Sequence, residues 1–151
     1  MNFIVANGSN EDFVMLCGML DDNLNELVGG EKQRAQYNRF NTLEKIHDVI
    51  LLYDDKKPIG CAAFRHYDEG IAEMKRVFLH KEYRGNGYAG ELIGRLEELA
   101  KTKGYQSIIL ETGKPLLAAI GLYSKLGYQI IENYGQYKDM PLSVCMKKRI
   151  G

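Results

Sequence analysis

The stretch from Glu82 to Ala100, EYRGNGYAGELIGRLEELA, restricts the fold more than any other part of the chain. Gly85, Gly87 and Gly90 spell G-x-G-x-x-G at the mouth of a helix. The apolar face of that helix is Leu92, Ile93, Leu96, Leu99 and Ala100, and Gly104 stops it. An acidic residue, Glu111, follows the glycines by about twenty positions, the arrangement of a dinucleotide-binding fingerprint. That fingerprint needs a strand running almost directly into the first glycine and a second βαβ half behind it. Here His80, Lys81, Glu82, Tyr83 and Arg84 intervene, the strand ahead of them belongs to an antiparallel meander, and no second half follows. Glu111 is therefore read as a coincidence of spacing. The phosphate chemistry survives that rejection. A helix start presents unpaired N–H groups and a partial positive charge. The glycines admit a phosphate close to the backbone, and Arg84 adds a forked, charged donor. The purely structural alternative is that the glycines only make a turn.

Around this bend the pattern is of short elements. FIVA (Phe3 to Ala6) reads as a strand, and Ser9 or Asn10 as the cap of a helix beginning near Glu11. Phe13, Val14, Leu16, Cys17 and Leu20 recur there at helical spacing. DDNLNELV reads as a further short helix ended by Gly29-Gly30, and residues 31 to 46 are polar and weakly helical. DVILLYDD, KPIGCAAFRHYD and IAEMKRVFLH are strands joined by tight turns, hence a meander. QSIILET is a buried strand, Thr112 to Pro115 opens a helix through LLAAIGLYSKL, and YQIIENY and LSVCMKKR close the chain around the loop GQYKDMP. The order is βααβββαβαββ, an α/β mixed sheet in a single domain spanning residues 1–151.

Composition narrows the function. With Lys+Arg and Asp+Glu both at 20, the net charge is zero, which argues against nucleic acid as the main partner. No apolar run approaches the ~20 residues of a membrane span. The N-terminus lacks the basic start and apolar middle of a secretion signal. Cys17, Cys61 and Cys145 stand far apart and are expected as reduced, buried thiols of a cytoplasmic protein. His47, His66 and His80 have no metal-ligand spacing, so no metal is expected.

Arg84-x-x-Gly87-x-Ala89 resembles the R/Q-x-x-G-x-G/A motif of the GCN5-related N-acetyltransferases (GNAT). The likeness extends to the element order and to the later segment ETGKPLLAAIGLYSKLGY, and so covers nearly the whole chain. It implies the acyl-CoA N-acyltransferase fold, with the fourth and fifth strands splayed around acetyl-CoA. By the same resemblance, backbone groups of Val77, Phe78 and Leu79 pair with the pantetheine arm. Arg84, Gly85, Asn86, Gly87, Tyr88 and Ala89 cradle the pyrophosphate.

The implied reaction is direct acetyl transfer to an amine, which requires a neutral amine and a proton for the departing thiolate. The resemblance makes Tyr123 the acid, beside the CoA sulfur; the alternative is that its ring only packs on the core. It makes Glu73, eleven residues before Arg84, the candidate base. Strand alternation would place Glu73, Lys75, Val77 and Leu79 on one face unless a bulge intervenes. A salt bridge to Lys75 or Arg76 is the structural alternative for Glu73, and a water chain is an alternative base. Many relatives carry asparagine seven residues before the tyrosine. This chain has Leu116 there, which removes one expected bond to the pantetheine, while Ala119 keeps the family residue.

The acceptor site is implied to lie between residues ~20 to 40 and NYGQYKDMP. Tyr134 and Tyr137 would supply flat surface there, and Glu26, Glu31 and Asp139 would attract a cationic amine. The expected acceptor is a small-molecule amine or amino-acid-like metabolite. A protein lysine or N-terminus is the second choice, and a non-catalytic acyl-CoA-binding module the third. Relatives that are dimers make a homodimer an option.

Overall fold

The computed structural model describes residues 1–27 and 45–151. Strand β1 (Asn2–Ala6) leads to helix α1 (Glu11–Leu27). The meander β2 (Asp48–Asp54), β3 (Lys57–Asp68) and β4 (Ile71–Leu79) follows. A 3-10 turn at Lys81–Tyr83 precedes helix α2 (Tyr88–Thr102). Strand β5 (Ser107–Gly113), helix α3 (Leu117–Lys125) and strands β6 (Gln129–Ile131) and β7 (Ser143–Arg149) complete the order. The strands form one sheet in the order β1-β2-β3-β4-β5-β7-β6. Every pairing is antiparallel except β4 with β5, which is parallel.

One expectation about the first helix is decided between its alternatives and one changes. Asn10 is its cap: Oδ1 accepts from the N–H groups of Asp12 (2.9 Å) and Phe13 (3.1 Å). DDNLNEL is not a separate helix but the continuation of α1. Leu20 and Leu24 keep the apolar stripe in phase with Phe13, Leu16 and Cys17, so burial overrides the weak helix preference of Asp-Asp-Asn. The weakly helical reading of residues 31–46 lies almost wholly outside the described residues, as does Glu31. The third helix begins at Leu117, so Pro115 sits in the turn before it.

Each face of the sheet carries a core. On one, Leu92, Ile93, Leu96 and Ala100 of α2 and Tyr123 of α3 pack on Ile50, Phe64, Met74, Ile108 and Leu110. On the other, α1 covers Val49, Leu51, Cys61, Ala63 and Phe78. A smaller cluster, Tyr137, Met140 and Cys145, lies under the loop between β6 and β7. All three cysteines are free and buried. No helix among the described residues is long and apolar enough to cross a membrane.

The central irregularity is a β-bulge in β4. Cys61 pairs with Phe78 but Ala63 with Lys75, so one extra residue of β4 is looped out. Arg76 adopts φ 56°, a left-handed conformation that a non-glycine residue enters at a cost of about 1–2 kcal/mol. Its surroundings hold it there: Arg76 Nη1 donates to Asp21 of α1 at 2.6 Å, and the Cys61 thiol donates to the Arg76 carbonyl at 3.2 Å. The bulge corrects the simple alternation. Ahead of it Ala72 and Met74 face the α2 core while Glu73 and Lys75 face the α1 side. Beyond it Val77 and Leu79 face the α2 core and Phe78 the α1 core.

Candidate active site

The bend after β4 is built from backbone. His80 O accepts from the Tyr83 N–H, Lys81 O accepts from the Arg84 N–H, and the chain then enters α2 through Gly85 and Gly87, both at φ 84°. Added Cβ atoms at these glycines would meet nothing within 4 Å, so glycine is required here by conformation and not by space. The first bond of α2 runs from the Glu91 N–H to Gly87 O. The N–H groups from Gly85 through Gly90 have no acceptor among the described residues, as expected of an open helix start. The Arg84 guanidinium is held over the mouth: Nε donates to Leu79 O at 2.8 Å and the group lies 5.9 Å from the Phe78 ring centre. A cleft of about 240 Å³ runs from Arg84, Lys81 and His80 to Asp22, Asn23 and Glu26 on α1.

The fork opens directly beside this bend. β4 and β5 are paired only at Ile71–Ser107, Ala72–Ile108 and Glu73–Ile109. Beyond Glu73, β4 remains paired with β3 and β5 with β7, but the two no longer pair with each other. The inner edge of Val77, Phe78 and Leu79 thus borders the gap on one side, and Glu111 borders it on the other.

Tyr123 lies on α3, 9% exposed, edge-on to Tyr128 at 5.9 Å. Burial, and then the charge of Glu111, push its phenol well above the usual tyrosine range. Several other tyrosines are tied to carboxylates: Tyr53 to Asp12, Tyr83 to Asp54, Tyr128 to Glu97 and Tyr134 to Glu73. The Tyr123 hydroxyl has no hydrogen-bond partner among the described residues.

Glu73 is 1% exposed and engaged at both oxygens. Oε1 accepts from Arg65 Nε at 2.8 Å, with Lys75 Nζ at 3.7 Å. Oε2 accepts from the Tyr134 hydroxyl at 2.5 Å. The ion pair considered for Glu73 therefore exists, but its close partner is Arg65, directly across on β3. Lys75 stands further off, and Arg76 reaches Asp21 instead. Lys75 Nζ donates to the Tyr137 hydroxyl at 3.1 Å, and burial lowers its pKa against the opposing pull of Glu73 and Glu111.

The loop that delivers these tyrosines is clamped by Asn133. Its amide nitrogen lies 3.1 Å from Tyr137 O, 3.2 Å from Met140 O and 3.3 Å from Ser143 O. Tyr134 and Tyr137 both enter the cluster, whereas Asp139 is exposed on the loop. Glu26 lies in the cleft and not among the tyrosines. Leu116 stands at the cap position of α3 without a side-chain capping bond.

Arg65 and Glu111 are the residues that the sequence alone does not place here. Arg65 is revealed only by the register across from Glu73. Glu111, set aside as a coincidence, lies on the fork and accepts a bond from Ser143 Oγ at 2.8 Å. Its signal was available: a carboxylate interrupting the apolar strand Ile108-Ile109-Leu110 needs a buried or functional reason.

Comparison with known proteins places this arrangement. A profile described as the acetyltransferase (GNAT) family matches residues 15–128. The chain is 34% identical over 115 residues to the uncharacterized protein YyaT of Bacillus subtilis, covering 76% of this chain and 74% of that one. It is 35% identical over 91 residues to an IAA acetyltransferase of Azospirillum brasilense, spanning 60% of each. A Klebsiella pneumoniae structure assigned as an acyl-CoA N-acyltransferase superposes with a TM-score of 0.79 at 26% identity, covering 99% of this chain and 98% of that one. The PaiA N-acetyltransferase of Thermoplasma acidophilum in complex with coenzyme A gives 0.74 at 19% identity, with 99% of each chain covered.

Proposed function

The chain belongs to the GNAT acetyltransferase family, and from that premise we propose that residues 1–151 form one catalytic domain. In this reading it transfers the acetyl group of acetyl-CoA directly to the primary amine of a small metabolite or amino-acid-like acceptor. The observation that carries the reading is the juxtaposition of two features. A bend of outward N–H groups at Gly85–Gly90 sits beside Arg84, and a fork begins where the β4–β5 pairing ends at Glu73.

The residues fit the cofactor, acetyl-CoA. The N–H groups of Gly85, Asn86, Gly87, Tyr88 and Ala89, with Arg84, would hold its pyrophosphate. The inner edge of Val77, Phe78 and Leu79 would hold its pantetheine. Bound there, the cofactor supplies an acetyl group already activated as a thioester.

Tyr123 supplies the proton that the leaving sulfur takes. Its raised pKa keeps the hydroxyl protonated, and the same burial that raises it also makes a nearby thiolate more basic. Glu73 is the final holder of the proton shed by the amine. Lys75 and Glu111 flank the fork with opposite charges, which suits a small zwitterionic or amino-acid-like acceptor.

Thiol release from acetyl-CoA tests this reading. The panel comprises a polyamine, an arylethylamine, free lysine and a short peptide with a free N-terminus, and calorimetry with CoA runs alongside. Turnover on the small amines is expected. Preference for the peptide would move the acceptor to a protein, and CoA binding without turnover on any amine would leave a binding module. Tyr123→Phe should keep CoA affinity and lose about 10²–10³-fold in kcat, the range of a positioned proton donor.

A further inference from the structure

Glu73 is sealed from solvent, which bears on how it can act as a base. At 1% exposure, with Arg65 on one oxygen and the Tyr134 hydroxyl on the other, its carboxylate leaves no room for an incoming amine. An amine bound on the α1 side of the fork meets a different oxygen first. Tyr137 is 1% exposed and receives a bond from Lys75, whereas Tyr134 is only half-buried. Tyr134 reaches Glu73 from the loop between β6 and β7, crossing the sheet face from its far edge, with its ring held edge-on between Tyr67 at 5.2 Å and Tyr137 at 5.6 Å. The charged and titratable groups around this contact are Arg65 and Tyr67 on β3, Lys75 on β4, Glu111 on β5, Cys145 on β7 and Tyr137 on the loop.

We propose that Tyr134 is the residue that touches the acceptor amine, and that it passes the amine's proton to Glu73. The inference rests on the transferase reading and deepens it. The acceptor arrives as an ammonium ion: its nitrogen gives one proton to Tyr134 Oη, bonds to the acetyl carbon as the carbon–sulfur bond breaks, and sheds its second proton to solvent. The proton already on Tyr134 moves along the existing 2.5 Å hydrogen bond to Glu73 Oε2. The sulfur takes the Tyr123 proton. The proton on Glu73 then returns through the half-buried Tyr134 to solvent, and solvent restores the one on Tyr123. The ammonium nitrogen loses two protons in all; CoA gains one and solvent keeps the other. Tyr134 ends as it began, and Glu73 is a positioning and proton-storing residue that never contacts substrate. Burial and the Glu73 charge both hold Tyr134 in its neutral form, the state a relay needs at rest.

The test is Tyr134→Phe, which keeps the ring packing and removes only the oxygen. With the best amine of the panel, kcat/KM at pH 7 is expected to fall about 10²-fold, in the range of general-base assistance. The pH profile should climb until it nears the amine's own pKa, where the wild type has already levelled. Calorimetric CoA affinity should be unchanged, and the melting temperature should drop by only a few degrees, because Glu73 keeps its bond from Arg65. Glu73→Gln should lose the same pH-dependent assistance, and the double variant should be no slower than the worse single one, because the pair acts as one unit. Wild-type activity with an unchanged profile in Tyr134→Phe, or losses that multiply in the double variant, would overturn the relay alone. A wild type inert towards every amine would overturn the transferase reading and the relay with it.

Discussion

The two ends of the fork are built on opposite principles. The bend at Arg84–Ala89 is local: a few consecutive residues, two glycines at φ 84° and the first turn of α2 contain every group proposed to meet the anion. The tyrosine–carboxylate cluster is assembled: Glu73, Arg65 and Tyr134 come from β4, β3 and a loop 61 residues further along the chain. A cofactor shared by a whole family can be gripped through main-chain groups that few side-chain changes disturb. An acceptor that differs between relatives calls for side chains, which register and loop length bring together. The first arrangement survives sequence drift, and the second depends on the whole fold being right.

The sharpest way to break this contrast is Glu73→Ala. It leaves Arg65 without its close partner and Tyr134 without an acceptor. The expected cost is about 3 kcal/mol, near the lower end for breaking a buried pair, because Arg65 is partly exposed. In a chain of this size that lowers the melting temperature by roughly 10 °C. A variant as stable as the wild type would show that the cluster does not depend on the pair.

Gly87→Val probes the other end. Its cost is conformational, about 1–2 kcal/mol for a side chain forced to positive φ, since nothing stands within 4 Å of the new Cβ. CoA affinity should fall at least tenfold while the tyrosine cluster is untouched, with a smaller loss for Gly87→Asn, which tolerates this backbone region. Equal losses for the two variants would mean that the bend's backbone conformation is not what binds.

The smallest effect near neutrality is alkaline. Tyr53 is pushed up to about 12 by burial and by its bond to Asp12, and the phenols of Tyr123, Tyr128, Tyr134 and Tyr137 are also raised. A raised phenol contributes stability that is complete below the unfolded pKa of ~10 and is lost as pH climbs towards the folded value. Lys75, depressed by burial, works the other way, gaining stability as pH rises towards its unfolded pKa of ~10.4. Circular dichroism should therefore show a fold stable to about pH 10 that then weakens steadily. A fold unchanged at pH 12 would contradict the protected phenols.

Legibility in the sequence follows the same division. The anion bend, α2, the meander and the parallel crossover to β5 are written in neighbouring residues: glycines, an arginine, helical spacing and tight turns. The continuity of α1 through Asp21-Asp22-Asn23 is not, because local preference there is overruled by the stripe that Leu20 and Leu24 continue. Nor is the bulge, since Arg76 carries no glycine-like mark and is held in place by Asp21 on another element. Glu73 stands out in the sequence as a charge in a central strand. That its close partner is Arg65 is a fact of register, and that Tyr134 covers it is a fact of loop path.

The surplus residue at Arg76 inverts the parity of β4 halfway along. Positions 73 and 75 project towards α1, while positions 77 and 79 project towards α2. One short strand is in effect two independently editable segments. Mutations can accumulate at the first without reorienting the second, so on the proposed reading acceptor preference is free to diverge while the grip on the shared donor is inherited intact.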